Sequence, residues 1–70
     1  MSWNYRVIKY AEGGYGLHEV YYDSDGEPLS MTEEPAGFVG DSVEELTASL
    51  MLARTDVRKR PVLNEDLEEA

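Results

Sequence analysis

Apolar and aromatic residues recur with strand-like alternation in two stretches near the start of the chain, Trp3 to Tyr10 and Tyr15 to Asp23, and the AEGG between them supplies the glycines of a hairpin connection. The Asp25-Gly26 pair then leads into a shorter run, Pro28 to Thr32, and suits a type I′ turn, in which both central residues take positive φ. The pattern predicts a three-stranded antiparallel meander. Side chains alternate across a strand, so folding about these turns is expected to put Trp3, Tyr5, Val7, Val20, Tyr22, Leu29 and Met31 on a core face. Arg6, Ile8, Tyr10, Tyr15, Leu17, Glu19 and Tyr21 then form the opposite face, and His18 falls beside Val7 at the core margin.

The period changes after residue 41. Pro35, Gly37 and Gly40 mark 33–41 as a loop, with Phe38 and Val39 as its expected anchors on the core. Ser42-Val43-Glu44-Glu45 is a capping box, and Val43, Leu46, Leu50, Ala53 and Val57 recur at helical spacing, predicting one stripe facing the sheet. Pro61 stops the helix, and Val62 and Leu63 can fold back onto the core. The expected fold is α+β: a three-stranded antiparallel sheet packed on one face by a single α-helix, a domain over residues 1–63 with a flexible acidic tail over 64–70.

Charge alters this picture more than size does. Fifteen acids oppose six bases for a formal net charge of −9, and the signs are segregated. Between Ala11 and Ala53 there is no Lys or Arg, whereas Arg54, Arg58, Lys59 and Arg60 crowd directly behind. Such a field repels nucleic acid and anionic membrane and steers basic proteins inward, so direct nucleic-acid binding is not expected. There are no cysteines, hence no disulfides and no thiolate metal site, and no apolar run of signal-peptide or membrane-span length. The expectation is a cytoplasmic protein of a bacterial host cell, monomer or homodimer.

Candidate chemistry is sparse. Asp23, Asp25 and Gly26 mimic part of a calcium loop, but that register begins at Tyr21 and ends at Thr32, where carboxylate ligands are required. A hairpin turn is the expected role. His18 is the only histidine, and HEVYY lacks the second histidine of a zinc-protease motif. No serine sits in a nucleophile elbow, and GGYG is neither a phosphate-binding nor a dinucleotide loop. No catalytic residue, metal ligand or cofactor is assigned.

The segments WNYRV at 3–7, HEVYYDSDGEP at 18–28, SVEEL at 42–46 and PVL at 61–63 together resemble a family of small, mostly uncharacterised bacterial and phage-associated proteins. By size and acidity the chain also resembles phage-encoded anti-CRISPR proteins, several of which inhibit by presenting carboxylates to a DNA-binding surface. That second resemblance implies a DNA-mimicking inhibitor of a Cas effector subunit, or of another basic nucleic-acid-binding protein. The expected contact surface is Asp23, Asp25, Glu27, Glu33, Glu34, Asp41, Glu44 and Glu45, provided that these acids converge. The alternative is a housekeeping interaction module, dimeric through a secondary face bearing Tyr10, Tyr15 and Tyr21.

Overall fold

Strand β1 (Ser2–Lys9) pairs antiparallel with β2 (Tyr15–Tyr22), and β2 pairs antiparallel with β3 (Pro28–Met31). The helix α1 (Val43–Lys59) follows, and then β4 (Leu63–Asn64) adds to the other side of β1, parallel to it. The structure, a computed structural model, describes residues 2–70. The α+β expectation holds, but the meander grows into a mixed four-stranded sheet of order β3-β2-β1-β4. Sequence pattern misses β4 because two residues carry no alternation to read. No helix among the described residues is long and apolar enough to cross a membrane.

The first hairpin corrects the expected register by one residue. Tyr10 N–H donates to Gly14 O at 3.0 Å and Gly13 N–H to Tyr10 O at 3.1 Å, so Ala11, Glu12 and Gly13 form a three-residue loop. Gly13 carries the left-handed conformation (φ 109°) that such a loop needs at its third position. Arg6 therefore faces His18 and Val7 faces Leu17. A one-residue slip exchanges the faces. Ile8, Val20 and Tyr22 share the buried core with Leu63, and Tyr10, Met31 and Leu67 pack against it. Trp3 and Leu29, expected inside, are exposed.

The same hydrogen-bond pattern closes two further turns. Asp23 N–H donates to Glu27 O at 3.0 Å and Gly26 N–H to Asp23 O at 3.1 Å, with Gly26 at φ 81°. Only Gly26 is left-handed there, so the turn is this three-residue type and not type I′. The third closes residues 64–68: Asn64 N–H donates to Glu68 O at 2.7 Å and Leu67 N–H to Asn64 O at 2.9 Å. Here Leu67, at φ 70°, stands where the others have glycine. Ala70 N–H reaches Val62 O at 2.9 Å, so residues 64–70, expected as a flexible tail, fold back onto the sheet.

Among the described residues the helix packs on β1 and on no other strand. Its start follows the sequence: the Ser42 hydroxyl accepts from Glu45 N–H at 3.1 Å, and Glu44 and Glu45 lie in the first turn, where the helix dipole favours negative charge. The expected apolar stripe is corrected. Ala53 and Asp56 are the buried residues, while Val43, Leu50 and Val57 are exposed. Asp56 is buried because its Oδ2 accepts from Tyr5 N–H at 3.1 Å, pinning the helix to the edge of β1 that β2 leaves free. Of the expected loop anchors, Phe38 packs on Tyr5 with ring centroids 5.6 Å apart, and Val39 is 88% exposed.

Candidate functional site

Two buried polar networks stand out among the described residues. His18 is 1% exposed and lies between two partners, Thr32 O at 2.9 Å from Nδ1 and Tyr10 Oη at 2.7 Å from Nε2. A carbonyl oxygen only accepts, so Nδ1 carries a proton, and in the neutral ring Nε2 accepts from the Tyr10 hydroxyl. The tyrosine ring reaches His18 by lying over Gly16, where any Cβ would collide with its hydroxyl. In the second network Arg6 Nη1 donates to Tyr22 Oη at 2.7 Å and Nη2 donates to Pro61 O at 2.9 Å. Tyr22 Oη then donates to Asn4 Oδ1 at 2.7 Å.

These bonds take Tyr10 out of the expected secondary face. It packs against the core cluster on the side of the sheet that holds His18, whereas Tyr15 and Tyr21 lie on the other side. Tyr15 is exposed; Tyr21 donates to Glu19 Oε1 at 3.0 Å. That bond is the main reason its phenol sits above the ordinary value of 10.0.

The expected acids separate into three places. Asp23, Asp25 and Glu27 occupy the β2–β3 turn, and Gly26 of that turn lines a groove with Asp56 and Arg60 at the C-terminal end of α1. Glu44 and Glu45 lie in the first turn of the same helix, and Asp41 precedes its cap. A helix rises ~1.5 Å per residue, so Glu44 and Arg60 are separated by about 24 Å. Glu33 and Glu34 follow β3 as it runs away from the turn: Thr32 N–H bonds Glu19 O at 3.1 Å and Ala36 N–H bonds Leu17 O at 2.7 Å. The turn acids and the helix-start acids thus lie toward opposite ends of α1.

The turn acids gain other company. A groove of about 590 Å³ is lined by Glu27, Asp66, Glu68 and Glu69 together with Arg6 and Arg60. The C-terminal acids were missed because their segment reads as a tail. A signal was nevertheless available: Asp23-Ser-Asp-Gly-Glu27 and Asn64-Glu-Asp-Leu-Glu68 share Asp/Asn, Asp and Glu at first, third and fifth positions. In each an aspartate accepts from the fifth residue's N–H, but from the first position in one segment and the third in the other. Asp23 Oδ1 accepts from Asp25 N–H at 2.9 Å and Glu27 N–H at 3.0 Å, and Asp66 Oδ1 accepts from Glu68 N–H at 3.0 Å. Asp23 and Asp66 thus hold their own turns, in the manner of Asx turns. Asp25, Glu27, Glu68 and Glu69 have no ion-pair partner among the described residues, where the one ion pair is Arg60 with Asp56. Nor do any three His, Asp or Glu side chains there gather closely enough to hold a metal ion.

A second surface comes from the helix. Leu50, Met51, Leu52 and Val57 are exposed, and Leu52 lines a groove of about 470 Å³ with Trp3, Asn4 and Tyr22. For Leu50 and Val57 this exposure is hidden by apolar spacing that matches a helix packed over a sheet face, whereas Met51 and Leu52 fall outside that stripe. No protein-family model, curated protein or solved structure matches the chain.

Proposed function

We propose that this domain is a small non-enzymatic binding protein that holds a cationic surface of a partner protein against the turn end of its sheet. The observation that carries the reading is the meeting of Glu27 with Asp66, Glu68 and Glu69 around one groove, from segments about forty residues apart. The turns on which they sit are fixed by backbone and Asx hydrogen bonds, so little loop ordering remains to be lost on binding. Within a net charge of −9 these groups add long-range steering that weakens with salt. A nucleic-acid-binding protein is the natural partner class, since its phosphate-binding cleft is cationic. An anti-CRISPR-type inhibitor seated on a Cas effector subunit is the concrete form of that reading.

The test is affinity capture from a bacterial lysate with the wild-type chain, followed by rebinding of the purified partner to two variants. Reversing Glu27, Glu68 and Glu69 to Lys, which spares the turn-holding Asp23 and Asp66, is expected to abolish rebinding, and reversing Asp41, Glu44 and Glu45 to reduce it only slightly. The opposite ranking would overturn the assignment. The exposed Leu50, Met51, Leu52 and Val57 favour a second reading, in which the helix flank is the protein interface. In that case binding would persist at high salt and fail on Leu50→Asp.

A further inference from the structure

Arg6 is 7% exposed, and a guanidinium cannot escape burial by giving up its proton. Burying such a charge is costly unless it is matched. Its two recorded acceptors, Tyr22 Oη and Pro61 O, are both neutral. Its Nε has no partner, and Arg6 has no ion pair among the described residues. The fold therefore holds a buried cation without its anion, and that cation lines the groove of about 590 Å³. A cavity of that size suits a small ligand, within the roughly 300–1,000 Å³ usual for such sites.

The surroundings narrow the ligand. Arg60, exposed on the same groove although its Nε pairs with Asp56, adds a second guanidinium, and the planar fork of Arg matches a carboxylate. A simple anion must nevertheless pass Glu27, Asp66, Glu68 and Glu69, which line the groove as well. A ligand carrying both signs satisfies both sets. We propose that the groove binds an amino-acid-like zwitterion, its carboxylate directed to Arg6 and Arg60 and its ammonium or guanidinium to the acids. Leu63 and Leu67 supply the apolar wall. The seat is Arg6, which the partner-binding reading does not use, but the ammonium site draws on the same groove acids, so a small zwitterion and a cationic partner compete for them.

Isothermal titration calorimetry and ¹H–¹⁵N NMR titration of the full chain test it, with glycine, L-lysine and L-arginine as probes and acetate and n-butylamine as controls. Saturable binding of at least one amino acid is expected at millimolar or tighter affinity, with either control at least about tenfold weaker. Shifts should appear at Arg6, Tyr22, Glu27 and Leu67. Acetate binding as tightly as the amino acids, or no binding by any probe, would overturn the proposal. Arg6→Gln should remove binding; because Arg6 also braces Tyr22 and Pro61, the double variant Glu68→Gln, Glu69→Gln provides a readout that leaves the core intact. That variant should weaken amino-acid binding about tenfold while acetate binds no more weakly than to the wild-type chain. Unaltered amino-acid binding in it, or in a folded Arg6→Gln chain, would contradict the proposed pose.

Discussion

The sheet and the helix of this domain are held by different chemistry. In the sheet, three turns of one hydrogen-bond type fix the register and the C-terminal return, and Ile8, Val20, Tyr22 and Leu63 fill the space between them. The helix has a good cap and a favourable dipole but buries only Ala53 and Asp56, and a side-chain carboxylate pins it to a strand edge. The acids differ accordingly. At the helix start Glu44 and Glu45 serve the helix dipole, whereas Glu27, Glu68 and Glu69 stand on rigid turns with no ion-pair partner among the described residues. An acidic chain is thus not uniformly acidic in purpose, and a carboxylate becomes available for binding where its own fold does not use it.

The largest effect should come from the sheet. Ile8 is fully buried, and Ile8→Ala should cost about 2–5 kcal/mol, enough in a domain of this size to remove the cooperative transition near room temperature. Thermal unfolding followed by circular dichroism measures it, and a loss below about 1 kcal/mol would mean that the cluster is not the core. Next in size is Asp56→Ala, which strands the Tyr5 N–H and should cost about 1–3 kcal/mol. Its signature is local: hydrogen exchange should quicken throughout α1 while β1 and β2 amides stay protected. Equal loss of protection in both would erase the distinction between the two regions.

A sharper test reverses a familiar order. At Leu67 the left-handed backbone costs roughly 1–2 kcal/mol for a residue bearing Cβ, while the side chain packs on the core. Leu67→Ala loses the packing and keeps the strain, so Leu67→Gly should be the more stable variant by about 1 kcal/mol. The two substitutions ranking the other way in urea melts would show that the C-terminal return is not held in this turn.

The smallest effect concerns alkali. Burial, then the charges of Glu19 and Asp56, keep the Tyr5 phenol above its ordinary 10.0. The unfolded chain therefore loses this proton first as pH rises, and the stability it contributes, complete below pH 10, declines from there through the folded value. Tyr5→Phe should flatten that decline, as read by unfolding free energy against pH; an identical slope in the variant would assign the effect elsewhere.

Much of this was legible in the chain. The strands β1, β2 and β3, the Ser42 cap and the Pro61 stop follow from alternation, capping chemistry and the missing proline N–H. The faces of the sheet did not, because AEGG is compatible with a three- or a four-residue loop and one residue decides which side is buried. The helix contacts were hidden by an aspartate acting as a strand-edge acceptor, a role that apolar periodicity does not encode. The acidic groove was half legible: its β2–β3 turn was visible, but its C-terminal turn was masked by Leu67 in a position that normally advertises itself with glycine.

The most direct measurement is an NMR titration of the ¹⁵N-labelled chain with a lysine-rich peptide, repeated at raised salt. Saturable, salt-sensitive shifts concentrated at residues 23–27 and 65–69, with residues 41–45 and 50–57 little changed, are the predicted result. Shifts centred on residues 41–45, or spread evenly over every acidic residue, would contradict the claim that the turn end of the sheet is the working surface.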